Sequence, residues 1–143
     1  MPSTITIEFS TESGIANLNL DPVHIDQVIS NLCINAKDAI EGSGTIAIDI
    51  HTRQLIELHC ASCKGPVNGE FVVLSIADSG TGMEDELLGS IFTPLFTTKA
   101  EDKGTGMGLA IIHNIMHHYS GHILVSSQPG KGTTFKLLFP IFD

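Results

Sequence analysis

"NLCINAKDAI", residues 31–40, lies inside the first long amphipathic segment and carries two asparagines four positions apart. From Asp21 to Glu41, Ile25, Val28, Ile29, Leu32, Ala36, Ala39 and Ile40 recur at three- and four-residue steps, the period of a helix with one apolar face. Asp21 and Pro22 supply a cap and a first position, and "GSG" at 42–44 stops the helix. Advancing by about 100° per residue from Asn31 puts Asn35 near ~40°, Asp38 near ~−20° and the apolar face near ~120°. Asp26, Ser30, Lys37 and Glu41 fall on the opposite side, so the Asn31/Asn35/Asp38 stripe borders the core, where a cleft can form. Asparagine competes for backbone hydrogen bonds and is a mediocre helix former, so two in mid-helix have no propensity reason. An amide oxygen is a suitable ligand for Mg²⁺. Taken alone, the pair also reads as boundary residues bonding local polar groups.

Outward from this helix, "STITIEFS" (3–10) and "TIAIDIHT" (45–52) alternate as strands, and "EFVVLSIAD" (70–78) is a more buried one. The intervening "RQLIELHCASCKGPVNG" is part strand and part loop. After "DSGTGM", a loop-rich stretch with two short helical pieces runs to Lys103. A helix over 106–119 then ends at Gly121, and "HILVSSQPGKGTTFKLLFP" is a hairpin around "PGKG". This order predicts an α/β fold, a mixed sheet covered on one face by about three helices.

The chain of 143 residues fits one domain, 1–143, and 42% hydrophobic residues predict a folded core. No apolar run approaches the ~20 residues of a membrane span. The start "MPSTITIEFS" lacks the basic and apolar segments of a secretion signal, so a cytoplasmic location is expected, without membrane contact by this chain. A formal charge of −9 argues against a nucleic-acid partner held through phosphates, and any polyanion must be met by local positive groups.

"ADSGTGM" places Asp78 at the end of a buried strand as an acceptor, followed by glycines that permit close backbone approach. Alone, this is also an ordinary turn. "GTGMGL" (104–109) lacks both the preceding strand of the dinucleotide fingerprint and the Gly-Lys-Ser/Thr ending of the P-loop. In order, however, "NLCINAKDAI", "DSGTGM", "IFTPLFTTK", "GTGMGLAI" and "PGKGTTF" resemble the N box, first glycine box, F box, second glycine box and closing motif of the ATP-binding catalytic domain of two-component sensor histidine kinases. The resemblance covers residues 21–140.

It implies a Bergerat-type α/β sandwich with ATP between the N-box helix and a flexible lid spanning about Thr97 to Gly106. By position, Asn35 resembles the Mg²⁺ ligand and Asp78 the acceptor for the adenine amino group, with Asn31 and Asp38 lining the same cleft. Gly80, Gly82 and Met83 would meet adenine, and Thr133 would help through a water. Thr98, Lys99, Lys103, Gly104, Thr105, Gly106, Met107, Gly108 and Leu109 would form the lid and the phosphate-facing helix start. Phe92, Phe96 and Met107 either anchor the lid or are plain core.

Related ATPases of this fold carry glutamate four residues before the Mg²⁺ asparagine, whereas this chain has Asn31 there. An amide cannot act as general base, which favours transfer to an imidazole over attack by water. None of the seven histidines is followed by the acidic residue typical of the family's acceptor; His113, His117, His118 and His122 read as structural or solvated. The resemblance thus implies an excised catalytic domain whose partner is the dimerisation and histidine-phosphotransfer domain of the same kinase and, indirectly, a response regulator. The alternatives are a nucleotide-binding regulatory module without phosphotransfer and a slow ATPase. Asp38, where many relatives carry a basic residue, resembles the nitrogen-sensing subgroup.

Cys33, Cys60 and Cys63 cannot all pair within the chain, and a disulfide framework is not expected. "HCASCKG" has the CxxC spacing of half a zinc ribbon, to be completed by His51 and His59 or by a knuckle from a second chain, but zinc stands second to two reduced thiols. If 104–109 faces a triphosphate, Gly106→Val weakens ATP binding without unfolding the chain; equal affinity in a nucleotide titration would refute that role.

Overall fold

The computed structural model describes residues 4–12, 14, 18, 20–61, 63–88, 91–92 and 108–141. Strand β1 (Ile5–Thr11) leads to helix α1 (Pro22–Ala39) and then to a long hairpin, β2 (Gly44–His59) and β3 (Pro66–Asp78). One helical turn, α2 (Asp85–Leu88), precedes α3 (Gly108–His118), and the hairpin β4 (His122–Gln128) and β5 (Gly132–Pro140) closes the fold.

These make one five-stranded sheet in the order β1-β2-β3-β5-β4. β1 runs parallel to β2, because a helix connects them, while the other pairs are antiparallel. The register puts Ile46, Ile48 and Ile50 opposite Asp78, Ile76 and Leu74, then Thr133, Phe135 and Leu137, then Ser127, Val125 and Ile123. With side chains alternating along each strand, that row is one face of the sheet. Val28, Leu32 and Ala36 of α1 and Ile112, Ile115 and Met116 of α3 join it in one buried core. On the opposite face the same strands carry Glu8, Ser10, Asp49, Ser75, Lys136 and Ser126. The expected mixed sheet with helices on one face is therefore present, and among the described residues the third helix is the single turn α2.

The Asp21 cap is realised: its side chain accepts from the Val23 N–H at 2.9 Å, and Pro22 follows. At the far end of α3, the Tyr119 hydroxyl accepts from the Asp21 N–H at 2.9 Å and lies 2.6 Å from His24 Nδ1, so the start of α1 meets the end of α3. The β2–β3 hairpin is longer than its sequence suggests. Pairing continues to His59↔Pro66 past an irregularity between Leu55 and Leu58, where Glu57 has φ 57°. Its turn crosses the end of the sheet, and the Ala61 N–H donates to the Ile123 carbonyl of β4 at 2.7 Å.

The stop of α3 lies one residue earlier than expected. Ser120, with φ 59°, is the left-handed residue: its N–H bonds the His117 carbonyl, and the Gly121 N–H bonds Met116 at 2.7 Å. Gly121 is needed for another reason, since a Cβ there would lie 2.5 Å from the Leu138 carbonyl oxygen. Ser120→Gly should therefore stabilise the chain by about 0.5–1 kcal/mol, read from denaturant midpoints at constant m.

Candidate functional site

The candidate site lies where α1 ends against the turn that follows β3. The Thr81 N–H donates to the Ala39 carbonyl at 3.0 Å, and the Ser79 hydroxyl accepts from the Thr45 N–H at 2.9 Å. A Cβ on Gly80 would stand 2.6 Å from the Ala39 carbonyl oxygen, so only glycine lets the helix end approach this closely. Gly82, at φ 72°, is fixed from the other side, where its missing Cβ would meet the Gln128 carbonyl. The space these two glycines leave is thus already taken by the chain's own backbone. The turn is tied down further by the Gly130 N–H on the Thr81 carbonyl at 2.7 Å and the Met83 N–H on the Ser127 hydroxyl at 2.7 Å.

Asp78 closes β3 on the helix-covered face and is half-buried. Its Oδ1 accepts from the Gly80 N–H at 2.8 Å, and the Thr133 N–H also donates to the carboxylate. Burial raises its carboxyl above the ordinary value, and the two donors pull the other way without cancelling that rise. The result is a carboxylate held in place, with lone pairs left for a ligand donor. Thr133 is buried at 5% exposure, and its hydroxyl pairs with Ser127 at 2.8 Å. Ser127 also donates to the Gly132 carbonyl at 3.0 Å, linking the β4–β5 hairpin to the Met83 loop.

Along α1, Asn31 and Asn35 are half-buried while Asp38 is exposed, as the helical count expects for a stripe at the border of the core. Val28, Leu32 and Ala36 take the buried side, and Ile34 and Lys37 face outward. Gly108 opens α3, and Leu109 and Met83 are part-buried against the core, as is Phe92. Chemically, this gives a hard-oxygen ligand set on one wall and a carboxylate acceptor on the other. Thr98, Lys99, Lys103, Gly104, Thr105, Gly106 and Met107 lie outside the described residues, as do Phe96 and the lid at 97–106. Sequence reasoning missed Ser127, a strand serine far from the turn in sequence and so without a local signal, and the role of Ser79, which lies within the DSGTGM turn and accepts from the Thr45 N–H.

The family described as histidine kinase-, DNA gyrase B-, and HSP90-like ATPase matches residues 20–142. Sensor histidine kinase ZraS of Escherichia coli K12 is 39% identical over 137 residues, covering 96% of this chain and 26% of that protein. Sensor kinase CckA of Brucella abortus is 38% identical over 118 residues, covering 80% of this chain and 12% of that protein. The chain therefore spans about a quarter or less of these relatives. The nucleotide-free catalytic domain of histidine kinase ThkA superposes with a TM-score of 0.71 at 29% identity, covering 95% of this chain and 80% of that one. No helix among the described residues is long and apolar enough to cross a membrane. With its N-box helix, its Asp78 turn and these matches, the chain belongs to the histidine kinase-, DNA gyrase B- and HSP90-like ATPase family, as the ATP-binding domain of a sensor histidine kinase.

Proposed function

We propose that this chain binds Mg-ATP between α1 and the 78–83 turn and donates the γ-phosphate to a histidine on the separate dimerisation domain of the same kinase. A response regulator then takes the phosphate in two-component signalling. The observation that carries the reading is Asn31, one helical turn before Asn35 on the half-buried stripe. A neutral imidazole attacks phosphorus with a nitrogen lone pair, so no base in this chain has to remove a proton first. Water does need such help, and an amide at this position gives none. The P–O bond to the ADP leaving group breaks as the P–N bond to the acceptor forms.

The other residues take positioning roles. Asp78, fixed by two N–H donors, accepts from the adenine amino group, and Thr133 borders the same spot. Asn35 offers its amide oxygen to Mg²⁺, which supplies charge neutralisation on the phosphates when bound. Asn31 and Asp38 flank it on the same stripe. The start of α3 at Gly108, with Lys99 and Lys103 before it in sequence, supplies local positive groups for the phosphates in a chain of net charge −9.

The test mixes the chain with a separately made dimerisation domain and labelled ATP. Label should appear on that domain and not on this chain alone. Stable phosphohistidine on the isolated chain, or no label on the partner domain despite ATP binding, would refute the reading.

Asp78→Asn should weaken ATP binding at least about tenfold, the size of one lost charge-assisted hydrogen bond, while the melting temperature stays level or rises because a half-buried charge is gone. In the parent chain, ATP affinity should fall as pH drops through the raised Asp78 value, because only the ionised carboxylate accepts from adenine. The stability sign is opposite. Folded Asp78 holds its proton to higher pH than the unfolded residue, so its contribution to stability declines as pH rises from about 4 to that raised value. Calorimetric titrations across this range check both, and an Asp78→Asn profile identical to the parent's would contradict the assignment.

A further inference from the structure

The turn of the β2–β3 hairpin brings together groups that the nucleotide cleft does not use. One ligand atom each from Cys60, Cys63 and His122 lies within 4.8 Å of the others. Cys63 Sγ is 3.8 Å from His122 Nδ1, close to the ~3.6 Å edge of a tetrahedron with a metal–sulfur bond of ~2.3 Å and a metal–nitrogen bond of ~2.0 Å. His51 and His59, the sequence's candidates for completing a site, are not in this group: His51 lies 2.8 Å from the Asp49 carboxylate, and His59 is exposed. The histidine that does join is distant in sequence and opens β4, where the hairpin turn docks.

The sulfurs are set up as ligands by the backbone. Cys60 Sγ accepts from the Ile123 N–H at 3.3 Å and the Cys63 N–H at 3.5 Å, and Cys63 Sγ accepts from the Gly65 N–H at 3.3 Å. Burial raises the Cys63 thiol above its ordinary value, and the Gly65 N–H directed at its sulfur pulls the other way, toward the thiolate that binds metal. The turn bends back through Lys64, at φ 67°, whose N–H bonds the Cys60 carbonyl at 3.0 Å. Cys60 is 1% exposed, so its sulfur faces the interior of the cluster.

A fourth group comes from α3. His113 Nδ1 is buried with no hydrogen-bond partner, although the ring stands outside the 4.8 Å group of Cys60, Cys63 and His122. His117 stacks on His113 with centroids 4.4 Å apart and stands edge-on to His122 at 6.2 Å. A buried imidazole nitrogen without a partner is costly unless something binds it.

We propose that Cys60, Cys63 and His122 are three ligands of a structural zinc site that fastens the β2–β3 turn to the start of β4 at the end of the sheet away from Asp78, with the His113 ring, which stands outside their 4.8 Å group, turning in as the fourth ligand. Two thiolates and two imidazoles in a closed tetrahedral set suit zinc over Mg²⁺ or Ca²⁺, which take oxygen. The site needs no nucleotide, and its success or failure is independent of the phosphotransfer reading.

The test uses the whole chain, purified without a histidine tag under reducing conditions, loaded with zinc and desalted. Metal analysis should find about one zinc per chain, and the cobalt-substituted protein should show the thiolate charge-transfer and intense visible bands of a tetrahedral site. Cys63→Ser and His122→Gln should each fall below about a tenth of an equivalent, with ATP-analogue affinity unchanged as evidence that the fold survives. His113→Ala should bind zinc at least about tenfold more weakly. Under about a tenth of an equivalent in the loaded parent chain, or full zinc in either Cys63→Ser or His122→Gln, would overturn the site. Parent-like zinc affinity and cobalt spectrum in His113→Ala would overturn the assignment of the fourth ligand.

Discussion

The cleft depends on one close approach, the end of α1 against the turn after β3. The Thr81 N–H reaches the Ala39 carbonyl at 3.0 Å, and the absence of a Cβ on Gly80 makes that distance attainable. Because α1 carries Asn31 and Asn35 while β3 carries Asp78, this contact sets the distance between the two walls. It joins an apolar requirement, the burial of Val28, Leu32 and Ala36 over the sheet, to a polar arrangement at the rim. A helix held only by its apolar face could slide by a residue or a turn, whereas one whose last carbonyl is hydrogen-bonded has a fixed register.

Much of this was legible because the helix period separates the buried stripe from the asparagine stripe without ambiguity, and Asp21 and Pro22 mark the start. The strands before and after were equally plain where apolar and polar residues alternate. What could not be read was where long-range docking decides. The residues from Arg53 to Gly69 look half irregular because polar and apolar residues mix there, yet they form the two arms of a hairpin that bends at a bulge. Ser120 carries the left-handed cap of α3 although Gly121 stands beside it, because the glycine is required against Leu138. His122 gave no signal, since nothing local announces that a strand's first residue will meet a turn formed some 60 residues earlier.

The candidate cleft also bears on how an acidic chain, of net charge −9, could accommodate an anion. The described wall is acidic or neutral: Asp78 is suited to a donor on a flat ring, and the asparagines add no charge. On the proposed reading, amides at positions 31 and 35 add no charge beside phosphate, so that Asp38, at the exposed end of the stripe, is its one carboxylate. On the proposed reading, an amide at position 31 would also be unable to activate water, so both effects would follow from one choice of residue.

The docking of the hairpin turn on Ile123 makes the two margins of the sheet unequal. β4 is clasped at its start by Ala61 and at its end by the Gly82 and Met83 loop, which meets Gln128 and Ser127. β1, at the other margin, leaves Ile7 and Phe9 at 61% and 63% exposure. Backbone groups on an open margin are a template for strand addition, while a clasped one resists it. Among the described residues, neighbouring polypeptide has one hospitable side on which to extend this sheet, and self-association through the other is sterically discouraged.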